Sequence, residues 1–139
     1  MLERGVQVAK PLGRLFIDDM EFALFQWVVG KRLDSLYFNA AKKEIEITPE
    51  GKAVWEAYGR FVRFCHNNGI ALDDAAGRNA IWNGISITGI DFEHTWISKD
   101  VTVLGWADRR TAVERIRREL GGALMPLYQA FRIGYNALD

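Results

Sequence analysis

Hydrophobic positions repeat with helical spacing over most of the chain and alternate with polar positions only over short stretches. The clearest helical pattern has the spacing i, i+1, i+4, i+7, i+8, i+11 and consists of Val54, Trp55, Tyr58, Phe61, Val62 and Cys65. Thr48 and Pro49 precede it in the order that favours an N-cap and a first helical turn. The segment "HNNG" at 66–69 supplies residues that tolerate a left-handed cap. We therefore expect a helix from Pro49 to about His66.

A second apolar pattern follows Asp18 and Asp19, which offer an N-cap. Its members fall on one helical face: Phe22, Val29, Leu33, Leu36 and Ala40. Leu24, Trp27 and Val28 add apolar bulk on the other sides. This pattern predicts a long helix to about residue 40, with its first half buried or packed on a second copy of the chain, so a homodimer is possible.

Three further helices complete the prediction. One runs from Asp73 and Asp74 to Asn83 and Gly84, one begins near Asp108, and the last follows Pro126. Between them, "ISITGI" and "TWISKDVTVLGW" alternate and predict antiparallel strands. The expected fold is a single compact α+β domain over residues 1–139, mainly helical, with about five helices and a small antiparallel sheet in residues 85–106.

The segment "EIEITPEGKAVWE" at 44–56 resembles the strand, Thr-Pro-Glu-Gly turn and helix that follow the wing in many winged-helix regulators. The upstream residues depart from that family, since they predict one long helix in place of two short ones joined by a turn. No DNA-contacting residue is transferred from the resemblance.

Composition narrows the class of protein. The 139 residues are 49% hydrophobic and carry no net charge, which is typical of a globular chain and gives no overall attraction to nucleic acid or anionic lipid. The longest apolar run, "FALFQWVV" at 22–29, is far shorter than the ~20 residues that span a bilayer. A single cysteine and the lack of a signal-peptide pattern favour a cytoplasmic location.

Motifs for catalysis and for cofactor binding are sparse. Cys65 and His66 are adjacent, so on a helix they point about 100° apart and cannot both reach one metal ion. Gly121 and Gly122 follow a helix and match no phosphate-binding loop. We expect no metal, no cofactor and no enzymatic activity. The alternative is an enzyme whose carboxylate and imidazole groups come from the "DFEH" segment, at Asp91, Glu93 and His94.

The segment "ADRRTAVERIRRELGG" at 107–122 is rich in arginine and predicts an amphipathic helix. Residues 71–108 carry six acids and two bases, a net of −4, and residues 109–138 carry six bases and two acids, a net of +4. The two regions can therefore neutralise each other. The predicted partner-binding surface combines three of the arginines with two tryptophans, namely Arg110, Arg117, Arg118, Trp96 and Trp106.

These patterns favour a protein-binding module, a small regulator, adaptor or inhibitor whose partner has an acidic surface. The first alternative is a nucleic-acid-binding protein that contacts phosphates through five arginines, Arg109, Arg110, Arg115, Arg117 and Arg118. The second is the enzyme built on the "DFEH" segment.

Overall fold

The computed structural model of the protein describes residues 4–39, 41–91, 95–99 and 102–137. These residues form three α-helices and nine short strands: β1 Pro11–Ile17, β2 Met20–Phe25, β3 Lys31–Arg32, β4 Phe38–Asn39, β5 Glu44–Ile45, α1 Pro49–Asn67, β6 Ile70–Leu72, β7 Ala80–Trp82, β8 Ile87–Gly89, β9 Thr95–Ile97, α2 Trp106–Glu119 and α3 Met125–Asn136. The strands pair antiparallel in four small sheets, β1–β2, β3–β7–β8, β4–β5 and β6–β9. No helix within the described ranges is long and apolar enough to cross a bilayer.

Helix α1 confirms the sequence prediction at both ends. The hydroxyl oxygen of Thr48 accepts a hydrogen bond from the Gly51 amide at 2.9 Å, and Pro49 occupies the first turn. The helix ends at Asn67, and Gly69 follows with a φ of 70°, a conformation that glycine adopts without strain. The predicted apolar face of α1 is the centre of the core.

Helix α3 packs against α1 through two glycines. A Cβ added to Gly59 would collide with the backbone of Phe131 and Tyr135, and one added to Gly134 would collide with the backbone of Glu56. Glycine is therefore required at both positions, because any side chain would force the two helices apart. The helix backbones are in direct contact at these points.

A buried histidine joins the last turn of α1 to α3. His66 is fully buried, and its Nδ1 lies 2.7 Å from the hydroxyl of Tyr135. Burial, together with the nearby positive charges of Arg109 and Arg63, lowers the pKa of His66 to about 4. The imidazole is therefore neutral at pH 7 and belongs to the packing of the core.

The helix predicted from Asp18 to about residue 40 is wrong. Residues 11–25 form the hairpin β1–β2, with Ile17 opposite Met20. Asp18 and Asp19 form its two-residue turn, with φ values of 49° and 63°, and positive φ at both positions matches the twist of a hairpin. Residues in this conformation cannot cap a helix, so the aspartates that suggested a helix start reverse the chain instead.

The helix predicted from Asp73 to Gly84 is also wrong. A 3-10 turn at Gly77–Asn79 leads directly into β7. The Asn83 side-chain oxygen then accepts hydrogen bonds from the amides of Ile85 and Ser86, which fixes a turn between β7 and β8. The class is mixed α+β, with three α-helices among the described residues in place of about five.

The sheet expected within residues 85–106 is organised differently. Strands β8 and β9 do lie in this region, but β8 pairs with β7 and β9 pairs with β6. Their partners come from residues 70–82, the segment that was predicted to be helical. Ala40, Glu93, His94 and Asp100 lie outside the described residues.

The contact between α1 and α3 gives a stability prediction. Alanine in place of glycine inside an exposed helix adds about 1 kcal/mol of stability. We expect Gly134→Ala to do the opposite and to lower the free energy of unfolding by about 3 kcal/mol, because the methyl group meets the backbone of Glu56. Urea unfolding measures the change.

The matched control is Gly121→Ala. Gly121 has a φ of −77°, and a Cβ there would make only an ordinary contact at 3.8 Å. This variant should change the free energy of unfolding by less than about 0.5 kcal/mol. Equal stabilities for the two variants would contradict the close helix contact.

Candidate functional site

Two loops of the small sheets meet beside α1. The first, residues 73–79, connects β6 to β7, and the second follows β8. The Ile90 amide donates to the Asn79 carbonyl at 2.9 Å, which fastens the loops to each other. The Asn79 side-chain amide donates to the carbonyl of Asp74 at 2.9 Å and lies 3.4 Å from its carboxylate. Asn79 is 8% exposed, so the pair is held in place.

Asp74, Asn79 and Asp91 line one small depression, which Tyr58 and Phe61 also border. Asp91 has a φ of 56°, in the left-handed region. A non-glycine residue there costs roughly 1–2 kcal/mol, and such strain concentrates at functional sites. The fold therefore places two carboxylates and one amide around the same hollow.

Asp91 also lines a second, larger cleft. Its volume is about 1420 Å³, and it lies between the chain segment that leaves β2 and the sheet β3–β7–β8. Its lining is mostly apolar and includes Phe25, Trp27, Val28, Ile81 and Ile90. Asp91 lines both hollows, and Lys31 lines the cleft from β3. Asp91 therefore connects a mostly apolar cleft to the depression that Asp74 and Asn79 line.

Helix α2 holds the first loop by two polar contacts. The Arg115 side chain reaches the Asp74 carboxylate at 3.4 Å. The Glu119 carboxylate accepts the Gly77 amide, at 2.9 and 3.1 Å to its two oxygens, and burial raises the pKa of Glu119. Arg78 of the loop itself binds the Asp74 carboxylate at 2.9 Å. Part of the charge of the arginine-rich helix is therefore neutralised inside the molecule.

The three arginines of the predicted partner surface are exposed. Arg117 binds Glu114 at 3.1 Å, and the guanidinium of Arg110 lies 5.1 Å from the ring centre of Trp106. Arg118 is exposed on the same helix, and Trp106 is 66% exposed at its first turn. Trp96 is 41% exposed but lies on β9, opposite Ala71. The structure thus joins Arg110 to Trp106 and places Trp96 on a different element.

The predicted "DFEH" cluster is described only in part. Asp91 is exposed, and Glu93 and His94 lie outside the described residues. Within the described ranges, no three side chains of His, Cys, Asp or Glu are grouped as a metal site would need. The companions of Asp91 are instead Asp74 and Asn79, from a loop that was predicted to be helical.

Sequence reasoning missed this group because it assigned Asp74 to a helix cap. Two sequence patterns pointed to this group. Asp74 and Asn79 have the spacing Asp-x-x-x-x-Asn, and Asp91 is followed by Phe92. Recognising both patterns together would have singled out the three residues before the structure was known.

Comparisons with known proteins give the fold alone. No family model matches the chain, and no curated protein matches it. A solved structure described as WaaP in complex with acyl carrier protein has a similar fold, with a TM-score of 0.70 over 98% of this chain and 15% sequence identity. The present chain spans 61% of that chain.

The backbone strain at Asp91 can be measured. Asp91→Gly and Asp91→Ala both remove the carboxylate, but only glycine accepts a φ of 56° at no steric cost. We expect the glycine variant to be more stable than the alanine variant by about 1 kcal/mol in urea unfolding. Equal stabilities would show that the residue is not strained in solution.

Proposed function

We propose that this chain binds a nucleoside triphosphate with Mg²⁺ and transfers its terminal phosphoryl group. The observation that carries the proposal is that Asp74, Asn79 and Asp91 line one depression, and that Asp91 also lines the neighbouring apolar cleft. In protein kinases the catalytic loop has an aspartate base five positions before a metal-binding asparagine, and an Asp-Phe pair supplies the second metal ligand. The three residues here have the same chemical types in the same order.

The donor set suits magnesium. Mg²⁺ prefers oxygen ligands and commonly takes one or two carboxylates together with phosphate oxygens and water. Asp91 offers a carboxylate, and Asn79 offers its amide oxygen, because its amide nitrogen is used on Asp74. When bound, the metal would neutralise charge on the transferred phosphoryl group.

Asp74 has the role of general base towards the acceptor hydroxyl. Its carboxylate is held by Arg78 and Arg115, so its orientation is fixed before a substrate arrives. The apolar walls of the cleft, with Trp27 among them, suit a planar base. Lys31 lines the same cleft and is a candidate contact for the phosphates.

The sequence departs from the kinase pattern at three points. Leu72 and Asp73 stand where the loop usually has His-Arg, and Glu93 stands where Asp-Phe is usually followed by Gly. The 139 residues also contain no G-x-G-x-x-G segment. The proposal therefore rests on the three polar residues and the cleft, without a glycine-rich loop over the phosphates.

Calorimetric titration with Mg²⁺·ATP tests the binding. We expect a Kd within about 1 µM to 1 mM for the wild type. Asp91→Asn should weaken binding about tenfold or more, because it removes the carboxylate that faces the metal. The matched control is Asp73→Asn, since Asp73 is exposed and does not line the depression. A wild type that binds no Mg²⁺·ATP would refute the proposal.

Asp74→Asn separates chemistry from binding. If Asp74 is the base, this variant keeps the nucleotide affinity, and its rate of ADP formation falls about 10²- to 10⁴-fold. An unchanged rate would show that the transfer proceeds without Asp74 as its base.

A second candidate function is the binding of a protein with an acidic surface, through Arg110, Arg117, Arg118 and Trp106, as a regulator, adaptor or inhibitor. Two observations favour it. The guanidinium of Arg110 lies against Trp106 on an exposed helix face. The solved structure of similar fold is described as a complex with acyl carrier protein. The nucleic-acid alternative is less supported, because Arg115 is bound to Asp74 and Arg109 is half-buried, so three of its five arginines are exposed.

Purified acyl carrier protein is the first partner to test, by biolayer interferometry. Reversal of the three exposed arginines to glutamate should weaken binding at least tenfold, a change of about 1.4 kcal/mol. A control variant with the same change in charge, Lys42→Glu, Lys43→Glu and Lys52→Glu, should bind like the wild type. Equal losses in both variants would indicate general charge attraction and no specific surface.

A further inference from the structure

The hairpin β1–β2 has one face without a charged side chain. Cross-strand partners share a face, and Leu15 pairs with Phe22, Ile17 with Met20 and Gly13 with Leu24. The apolar face therefore consists of Leu15, Ile17, Met20, Phe22 and Leu24. The opposite face holds the exposed Phe16 together with Arg14 and Glu21, which form a salt bridge at 3.2 Å.

The hairpin forms a sheet by itself in the described part of the chain, and every residue of both strands is exposed. An isolated two-stranded hairpin is marginally stable in water, and a sheet with one clean apolar face usually covers that face. The apolar face of the hairpin is thus exposed, although such a face is usually packed against another layer of protein.

We propose that a second copy of this chain covers the apolar face, by stacking of the two hairpins about a two-fold axis. Each of the five side chains is 41–58% exposed. With ~200 Å² for a large side chain, they leave roughly 450 Å² of apolar surface on each copy. Two copies would bury roughly 900 Å² from these residues alone, which is the size of a weak, transient dimer, since stable interfaces bury about 1,200–2,000 Å².

Charge at the two ends of the hairpin favours an antiparallel stack. Asp18 and Asp19 occupy the tip, and Lys10 lies at the open end beside Gln26, whose amide donates to the Lys10 carbonyl at 2.8 Å. A two-fold axis that lies between the two faces and runs across the strands brings the acidic tip of one copy to the basic end of the other. A parallel stack would instead bring the two acidic tips together, and like charges oppose such pairing.

Sedimentation velocity of the full chain between about 1 and 200 µM tests the dimer, with two variants of the same hairpin. Phe22→Lys puts a charge on the apolar face, and Phe16→Lys makes the same change on the opposite face, where Phe16 is 68% exposed and pairs with Glu21. The wild type and Phe16→Lys should dimerise with rising concentration, and Phe22→Lys should stay monomeric with an unchanged circular dichroism spectrum.

A charge exchange provides a test without change to the apolar residues. Asp19→Lys alone should weaken the dimer, and Asp19→Lys combined with Lys10→Asp should restore it. A wild type that is monomeric over the whole range, or equal dissociation of the Phe16 and Phe22 variants, would overturn the proposal. Neither result depends on nucleotide binding.

Discussion

The contact on which the rest of the structure depends is the close packing of α1 on α3 at Gly59 and Gly134. Each glycine faces the backbone of the other helix, so the two helices approach closely enough for the aromatic side chains beside them to interlock. The same helices are joined again where His66 meets Tyr135. Because α1 is fixed in this way, its other face becomes a stable support for the loops that surround the candidate site.

The loop at residues 73–79 is positioned from three directions. The Tyr58 hydroxyl of α1 donates to the Ala76 carbonyl at 3.2 Å, the Glu119 carboxylate of α2 accepts the Gly77 amide, and Asn79 closes the loop on Asp74. Gly77 is required there, since a Cβ would come within 3.1 Å of Trp55, Glu119 and the backbone of Asp34. Such convergence holds Asp74 and Asn79 in fixed positions before any ligand is bound, which is the general condition for catalysis by positioning. It also explains why α2 is so rich in charge: one part of that charge holds the loop, and the remainder faces solvent.

Packing is unevenly distributed between the two ends of the chain. The core is built from α1, α2, α3 and the strands that touch them, whereas the hairpin β1–β2 is exposed on both faces. The large cleft lies at the junction of these two parts, with residues of both in its walls. An apolar cleft between a rigid body and a less supported segment is a common place for a ligand, because the ligand itself can supply missing contacts.

The sequence alone determined the elements whose signals are local. Thr48 and Pro49 set the start of α1, Gly69 follows its end, and the amphipathic pattern of residues 107–122 indicates α2. Residues 18–40 and 73–84 were predicted as helices because short apolar runs fit a helical period as well as a strand, and because aspartate pairs serve as caps and as turns alike. Only the tertiary structure decided these cases, since strand pairing is a contact between distant residues. The candidate site was decided in the same way: the spacing of Asp74 and Asn79 and the Asp-Phe pair are present in the sequence, but the three residues meet only after β7 and β8 have paired.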